Sequence, residues 1–213
     1  MKDIKLIIFD LDGTLVDAYE AIFKSFHHTM QSLQMRSKSH QAIRRAVGWG
    51  DELLLKPFVS PLQLKKALFV YRRHHRHSLV RYARLFPGAR KVLGILKRKE
   101  YKLAVASNRP ARFSWILIRH LGLDRYFDYV LCADRLEHRK PHPEILRKIM
   151  QRFRISSKQT LYVGDMVLDA QASRRAKVRA IIVTTGSSTL AEIRKEKPLY
   201  IIRRIDELLK VIK

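Results

Sequence analysis

An α/β fold, in which a parallel sheet carries helices on both faces and a small all-helical cap is inserted after the first strand, is predicted by three observations on this 213-residue chain. Short β-rich apolar runs alternate with helical patterns, the arrangement of a parallel sheet wrapped by helices. Most of these runs are continuously apolar, as strands covered on both faces are. The alternation breaks once, between Asp17 and about Arg84, where helical spacing takes over.

Residues 6–9 form the first predicted strand. In the stretch that follows, Ile22, Phe26, Met30 and Leu33 share one helical face and Leu64, Leu68 and Tyr71 another, while Gly48-Trp49-Gly50, Pro57 and Pro61 punctuate it. Residues 17–83 are therefore read as the helical cap domain, and 1–16 with 84–213 as a Rossmann-like core. After the turn at Pro87-Gly88 come a helix over 89–99, a strand over 103–106, a helix over 111–121 and a strand over 129–132. The turn at Lys140-Pro141 leads into a helix over 143–153, a strand over 161–163 and a helix over 169–176. The chain closes with strands over 180–183 and 199–202 and helices over 189–196 and 206–212.

Composition narrows the class. With 8 Gly and 7 Pro the chain is neither collagen-like nor low in complexity. No apolar run approaches the roughly 20 residues of a membrane span. Lys2 and Lys5 are followed by only four apolar residues before Asp10 and Asp12, too few for a signal-peptide core, so no membrane association and a cytoplasmic location are expected. The single cysteine, Cys132, lies in an apolar strand pattern and reads as a buried strand residue.

The net charge of +25 invites an anionic partner. Its distribution argues against a dedicated nucleic-acid module, because residues 17–83 carry 12 basic and 4 acidic side chains and the rest of the chain 32 and 15, nearly the same density. A generally basic surface is expected, with nucleic acid as the alternative partner.

Open parallel sheets place their sites beyond the carboxyl ends of the strands, and the polar residues of this chain gather there. The first strand runs into Asp10-Leu11-Asp12-Gly13-Thr14, the second into Ser107-Asn108, and the fourth into Gly164-Asp165 with Asp169 one helical turn later; Lys140 sits in a turn before a helix. Crowded carboxylates need a cation to offset their repulsion, and all-oxygen ligation suits magnesium. A metal, an ammonium and exposed amides at a strand-to-helix turn make a site for a phosphate group.

These segments resemble, in order, the four motifs of the haloacid dehalogenase superfamily: the strand with DLDGTLVD, Ser107 with Asn108, Lys140-Pro141, and Gly164-Asp165 with Asp169. The resemblance covers nearly the whole chain. It implies Asp10 as nucleophile, Asp12 as general acid and base, Ser107, Asn108 and Lys140 as phosphate-binding residues, and Asp10, Asp12 and Asp165 around Mg2+ with Asp169 behind them. The helical insertion and Phe86-Pro87-Gly88 resemble the cap and cap exit of the phosphoglycolate phosphatase-like branch. The activity implied is a magnesium-dependent hydrolysis of small phosphorylated metabolites through an aspartyl-phosphate. A second carboxylate two residues after the nucleophile favours a phosphate ester or anhydride. A phosphosugar mutase or pyrophosphatase on the same fold, or a basic nucleic-acid-binding protein, are the alternatives.

Within the cap, Trp49, Arg44 and Arg45 are expected to set substrate choice. His74, His75 and His77, in a run of arginines, read as a basic solvated face, since no pair has the four-residue spacing of a helical metal site. His138 and His142 read as loop residues near Lys140. Two departures from the family pattern stand out: Ala176-Lys177 replaces the usual Ala-Gly, and Glu100-Tyr101 the frequent Gly-Tyr, each losing a glycine that takes a left-handed cap at a cost of about 1 kcal/mol.

Overall fold

The computed structural model describes residues 3–212, so the ends of the predicted core, 1–2 and 213, lie outside the described residues. In chain order the strands are β1 (Leu6–Phe9), β2 (Val16–Asp17), β3 (Arg84–Leu85), β4 (Lys102–Ser107), β5 (Tyr129–Cys132), β6 (Thr160–Gly164), β7 (Arg179–Val183) and β8 (Tyr200–Ile202). The helices are α1 (Tyr19–Ser32), α2 (His40–Ala46), α3 (Asp51–Leu55), α4 (Pro61–Tyr82), α5 (Ala89–Arg98), α6 (Ala111–His120), α7 (Glu144–Phe153), α8 (Val167–Ala176), α9 (Leu190–Lys195) and α10 (Leu208–Val211).

Six strands form one parallel sheet in the order β5-β4-β1-β6-β7-β8. The chain moves outward from β1 to β4 and β5, then crosses back to β6 on the other side of β1. The strand order therefore reverses beside β1, and the crevice at that reversal is where open sheets bind ligands. Residues of β1 alternate between two cores. Ile7 and Phe9 face the side covered by Val92, Leu93 and Leu96 of α5 and Phe113 and Leu117 of α6, while Leu6 and Ile8 face Ile145, Leu146 and Ile149 of α7 and Ala172 of α8.

Helices α1 to α4 occupy the stretch that broke the alternation. Their starts follow from local chemistry: the Ser39 and Ser60 hydroxyls accept from the backbone amides of Ala42 and Gln63, and Pro61 takes the first helical position of α4. Ile22, Phe26 and Met30 of α1 are buried against α4, and this apolar cluster is continuous with the α6 side of the sheet. The chain enters and leaves the helical segment through one antiparallel pair, Val16 with Leu85 and Asp17 with Arg84, which the helical periodicity does not announce.

Both glycine replacements sit in left-handed conformations, Lys177 at φ 58° and Glu100 at φ 61°. Cys132 is buried at the end of β5, and burial pushes its thiol up to about 11, as a structural cysteine requires. No helix among the described residues is long and apolar enough to cross a membrane.

Candidate active site

The site begins where β1 stops. The Asp10 amide donates to the Val163 carbonyl at 2.8 Å, and directly afterwards a tight loop closes as the amides of Leu15 and Val16 return to the Leu11 carbonyl at 3.0 and 2.9 Å. That loop turns Thr14 back toward β6, where its hydroxyl donates to Asp165 Oδ1 at 2.8 Å. Glycine is required inside it. Gly13 has φ +82°, and a Cβ there would lie 2.2 Å from Asp165 Oδ2.

Lys140 is buried among four oxygens. Its Nζ donates to the Ala106 carbonyl at 3.0 Å, the Tyr162 hydroxyl at 2.9 Å and Asp169 Oδ1 at 2.8 Å, and stands 3.0 Å from Asp10 Oδ1. Burial works against its charge, but Asp10 and Asp169 outweigh burial and push the ammonium above its ordinary range. Asp169 has both oxygens engaged. Oδ1 also accepts from the Tyr162 hydroxyl, and Oδ2 accepts from the amides of Asp165 and Met166. It holds Lys140 and the start of α8.

Asn108 is also fully engaged. Its carbonyl oxygen accepts from the Lys140 amide at 2.9 Å, while its amide donates to the Lys140 carbonyl at 3.1 Å and the Gly48 carbonyl at 2.9 Å. The expected phosphate contact of Asn108 gives way to a clamp on the backbone of Lys140. Ser107 is buried beside it, and its oxygen accepts from the Arg109 amide at 3.2 Å.

Asp10, Asp165 and Asp169 each place a carboxylate oxygen within 4.8 Å of the others. Burial pushes Asp10 up to about 7, against the pull of Lys140 and with the help of Asp169 and Asp12. Asp165 is raised by burial first and by Asp169 and Asp10 next. Its Oδ2 is buried with no hydrogen-bond partner, an expensive state for a carboxylate oxygen unless a cation meets it. The donor set is all oxygen, the kind that a magnesium ion takes. The residues present thus fit a divalent cation at Asp10 and Asp165.

Asp12 departs from the expected metal set. Its carboxylate turns away from the cluster to Arg109, whose Nε donates to Oδ2 at 2.6 Å and whose Nη2 donates to Oδ1 at 2.8 Å. A guanidinium fork matches a carboxylate with two parallel bonds, and this outcompetes the crowded carboxylates for Asp12. The third guanidinium nitrogen, Nη1, donates to His75 Nε2 at 2.6 Å. His75 is accordingly buried between Tyr71 and Phe113 and does not belong to a solvated face, whereas Arg73, Arg76 and His77 around it are exposed. The signal was present in the sequence: Tyr71, His75 and Leu79 recur every four residues on the buried side of α4. Nothing local pairs Arg109 with Asp12, 97 positions away.

A cavity of about 50 Å³ opens between Asp10, Asp12 and Arg109 at the sheet end and Ile22, Tyr71 and His75 on the helices. Trp49, Arg44 and Arg45 are not in its lining. Trp49 is 38% exposed, and its carbonyl accepts from Arg139. Arg44 packs over the Tyr19 ring and donates to the carbonyls of Thr185 and Gly186, and Arg45 pairs with Glu192 at 3.2 Å. These three residues join α2 and the following turn to the segments after β5 and β7. His138 and His142 lie in the loop around Lys140, their rings 4.4 Å apart.

Comparison with known proteins agrees with this geometry. The family model described as haloacid dehalogenase-like hydrolase matches residues 7–183. The chain is 34% identical to the probable phosphatase IndB of Dickeya dadantii, over 95% of this chain and 91% of that protein. It is 28% identical to a phosphoglycolate phosphatase of Nitrosococcus oceani, over 98% and 96% of the two. The crystal structure of a predicted phosphoglycolate phosphatase from Haemophilus somnus superposes with a TM-score of 0.94 at 26% identity, covering 100% of each chain. The chain belongs to the haloacid dehalogenase-like hydrolase family, on its phosphoglycolate phosphatase-like branch, and its chemistry is that of a phosphatase.

Proposed function

We propose that the chain is a magnesium-dependent phosphatase that hydrolyses small phosphomonoesters through an aspartyl-phosphate on Asp10, with residues 17–83 as the cap over the site. The observation that carries this reading is the Asp10 carboxylate at the end of the central strand, 3.0 Å from a buried ammonium and beside Asp165, whose Oδ2 has no protein partner.

When bound at Asp10 and Asp165, magnesium supplies positive charge that offsets the repulsion between carboxylate and phosphate. Asp10 attacks phosphorus as the bond to the leaving oxygen breaks, and that oxygen takes a proton from Asp12. A water then attacks the phosphorus, its proton passes to Asp12, and the Asp10 carboxylate is released. Ser107 and Lys140 hold the phosphoryl oxygens, and Asn108, Tyr162 and Asp169 keep Lys140 in place. A helical cover over this rim excludes water and leaves the choice of leaving group to the cavity walls. A cytoplasmic site of action belongs to the same reading.

The test is hydrolysis of p-nitrophenyl phosphate and a metabolite panel that includes pyrophosphate and phosphosugars, with and without magnesium. Turnover of monoesters that stops on chelation and is absent in Asp10→Asn is expected. Wild-type rates in that variant contradict the mechanism.

A further inference from the structure

Helix α5 carries a glycine, Gly94, in mid-course. Glycine weakens a helix interior relative to alanine, so its presence there calls for a reason in what packs against it. The fold supplies none: a Cβ at Gly94 would meet only the Arg98 guanidinium at 3.7 Å and the Tyr126 ring at 3.9 Å, both ordinary contact distances. Gly94 instead lines a groove of about 590 Å³, together with the rings of Phe86 and Tyr126 and the cations of Arg90, Lys91 and Arg98. That volume is in the range of small-molecule sites, about 300–1,000 Å³.

The charge in this groove is unopposed. No carboxylate lines it. Arg90 is held by the carbonyls of Leu121 and Gly122 at 2.7 and 3.4 Å, which fix its position and leave its charge uncompensated. Lys91 and Arg98 are exposed about one helical turn to either side of Gly94, and neither has a hydrogen-bond or ion-pair partner among the described residues. Asp206, which lies against Gly88, already takes two bonds from Arg204 at 3.1 and 3.0 Å, and Glu207 accepts from the Arg203 amide. Three cations and two aromatic rings around a bare stretch of helix match a ligand that joins a flat ring to phosphate. Phosphate oxygens take guanidinium and ammonium donors, and a base stacks on aromatic side chains.

We propose that this groove is a binding site for a nucleoside phosphate, separate from the catalytic rim. The base packs over Gly94 against Phe86 and Tyr126, and the phosphates meet Lys91, Arg98 and Arg90. The groove shares no lining residue with the cavity at Asp10, and the assignment depends on neither the metal nor the covalent step. Its position gives it a route to the site. Leu85, also in the lining, pairs with Val16, and the Phe86 amide donates to the Leu15 carbonyl at 3.0 Å. An occupant therefore rests on the strand by which the chain leaves residues 17–83, next to the loop that follows Asp10.

Isothermal titration calorimetry in EDTA, with ADP, adenosine and inorganic tripolyphosphate as probes, tests this without any turnover. The wild-type protein is expected to bind one ADP, and to bind adenosine and tripolyphosphate about 10-fold or more weaker, since each lacks one half of the ligand. Gly94→Leu fills the groove without changing the charge. It is expected to weaken ADP binding by about 30-fold or more while the Tm stays at or above that of the wild type. Lys91→Gln combined with Arg98→Gln is expected to weaken ADP by about 10-fold or more, and decides the matter if Gly94→Leu does not fold. Lys65→Gln combined with Lys66→Gln removes the same charge from the exposed surface of α4 and is expected to change ADP binding by less than about 2-fold. No ADP binding by the wild-type protein, ADP binding untouched by Gly94→Leu, or equal losses in the two double variants overturns the site. Tripolyphosphate bound as tightly as ADP overturns its assignment to a nucleoside.

Discussion

The Lys140 ammonium stands 3.0 Å from Asp10 Oδ1, with both side chains buried at the end of the central strand. A lysine this deep serves two ends: it holds the carboxylates of Asp10 and Asp169 in place, and it offers a buried cation next to the proposed nucleophile. Lys140→Met keeps the length and removes the charge. It is expected to lower kcat/KM for a phosphomonoester by about 10²–10³-fold, and to cost about 3–5 kcal/mol of stability in urea unfolding, because two buried carboxylates lose their partner. Unchanged stability would mean that the ion pair is not formed.

Gly13 is a second pressure point. Its positive φ and the 2.2 Å approach of a Cβ to Asp165 Oδ2 leave no room for a side chain. Gly13→Ala is expected to strain the backbone by about 1–2 kcal/mol and to push Asp165 out of line. Circular dichroism should report a folded protein with little phosphatase activity and a weakened thermal response to magnesium. Normal activity would show that Asp165 Oδ2 does not need its present position.

The pH dependence follows from the raised carboxylates. In metal-free protein Asp10, pushed up to about 7, and Asp165, raised in the same direction, hold protons at pH values where the unfolded chain has lost them. The contribution of Asp10 to stability is complete below the ordinary carboxylate range and is lost as the pH rises through about 7, and that of Asp165 is lost in the same direction. Magnesium favours the ionised folded form, so its gain in Tm is expected to be larger at pH 8 than at pH 5. A gain that is equal at both, or larger at pH 5, contradicts the assignment of these carboxylates to the metal.

The six core strands were legible from sequence because each centres on a short apolar run set between helical patterns, and three of the four site segments because each follows a strand directly, while Lys140-Pro141 was legible as a turn before a helix. The pair β2 and β3 was not, since Val16–Asp17 and Arg84–Leu85 are too short to show a period. The side-chain roles were less legible than the positions. Asn108 reads as a phosphate ligand until its three bonds to Gly48 and Lys140 are seen, and Asp12 as a metal ligand until Arg109 is. Both depend on partners tens of residues away. Arg44 and Arg45 look free for substrate in sequence, yet they are held by carbonyls and a carboxylate of the core loops.

The charge of +25 makes its own prediction. Spread over all parts of the chain, it should attract nucleic acid weakly and without sequence preference, in binding that fluorescence anisotropy detects at low salt and loses near physiological salt. Sub-micromolar binding at physiological salt, by a protein that hydrolyses none of the phosphate esters, would favour a nucleic-acid partner over a phosphatase.

The covalent intermediate is the centre of the account, and mass spectrometry of enzyme quenched in acid during turnover of a phosphomonoester with magnesium tests it most directly. Phosphate is expected on the peptide that contains Asp10, absent without magnesium and absent in Asp10→Asn. Rapid turnover with no phosphorylated Asp10 at any quench time, or phosphate carried on another residue, would contradict it.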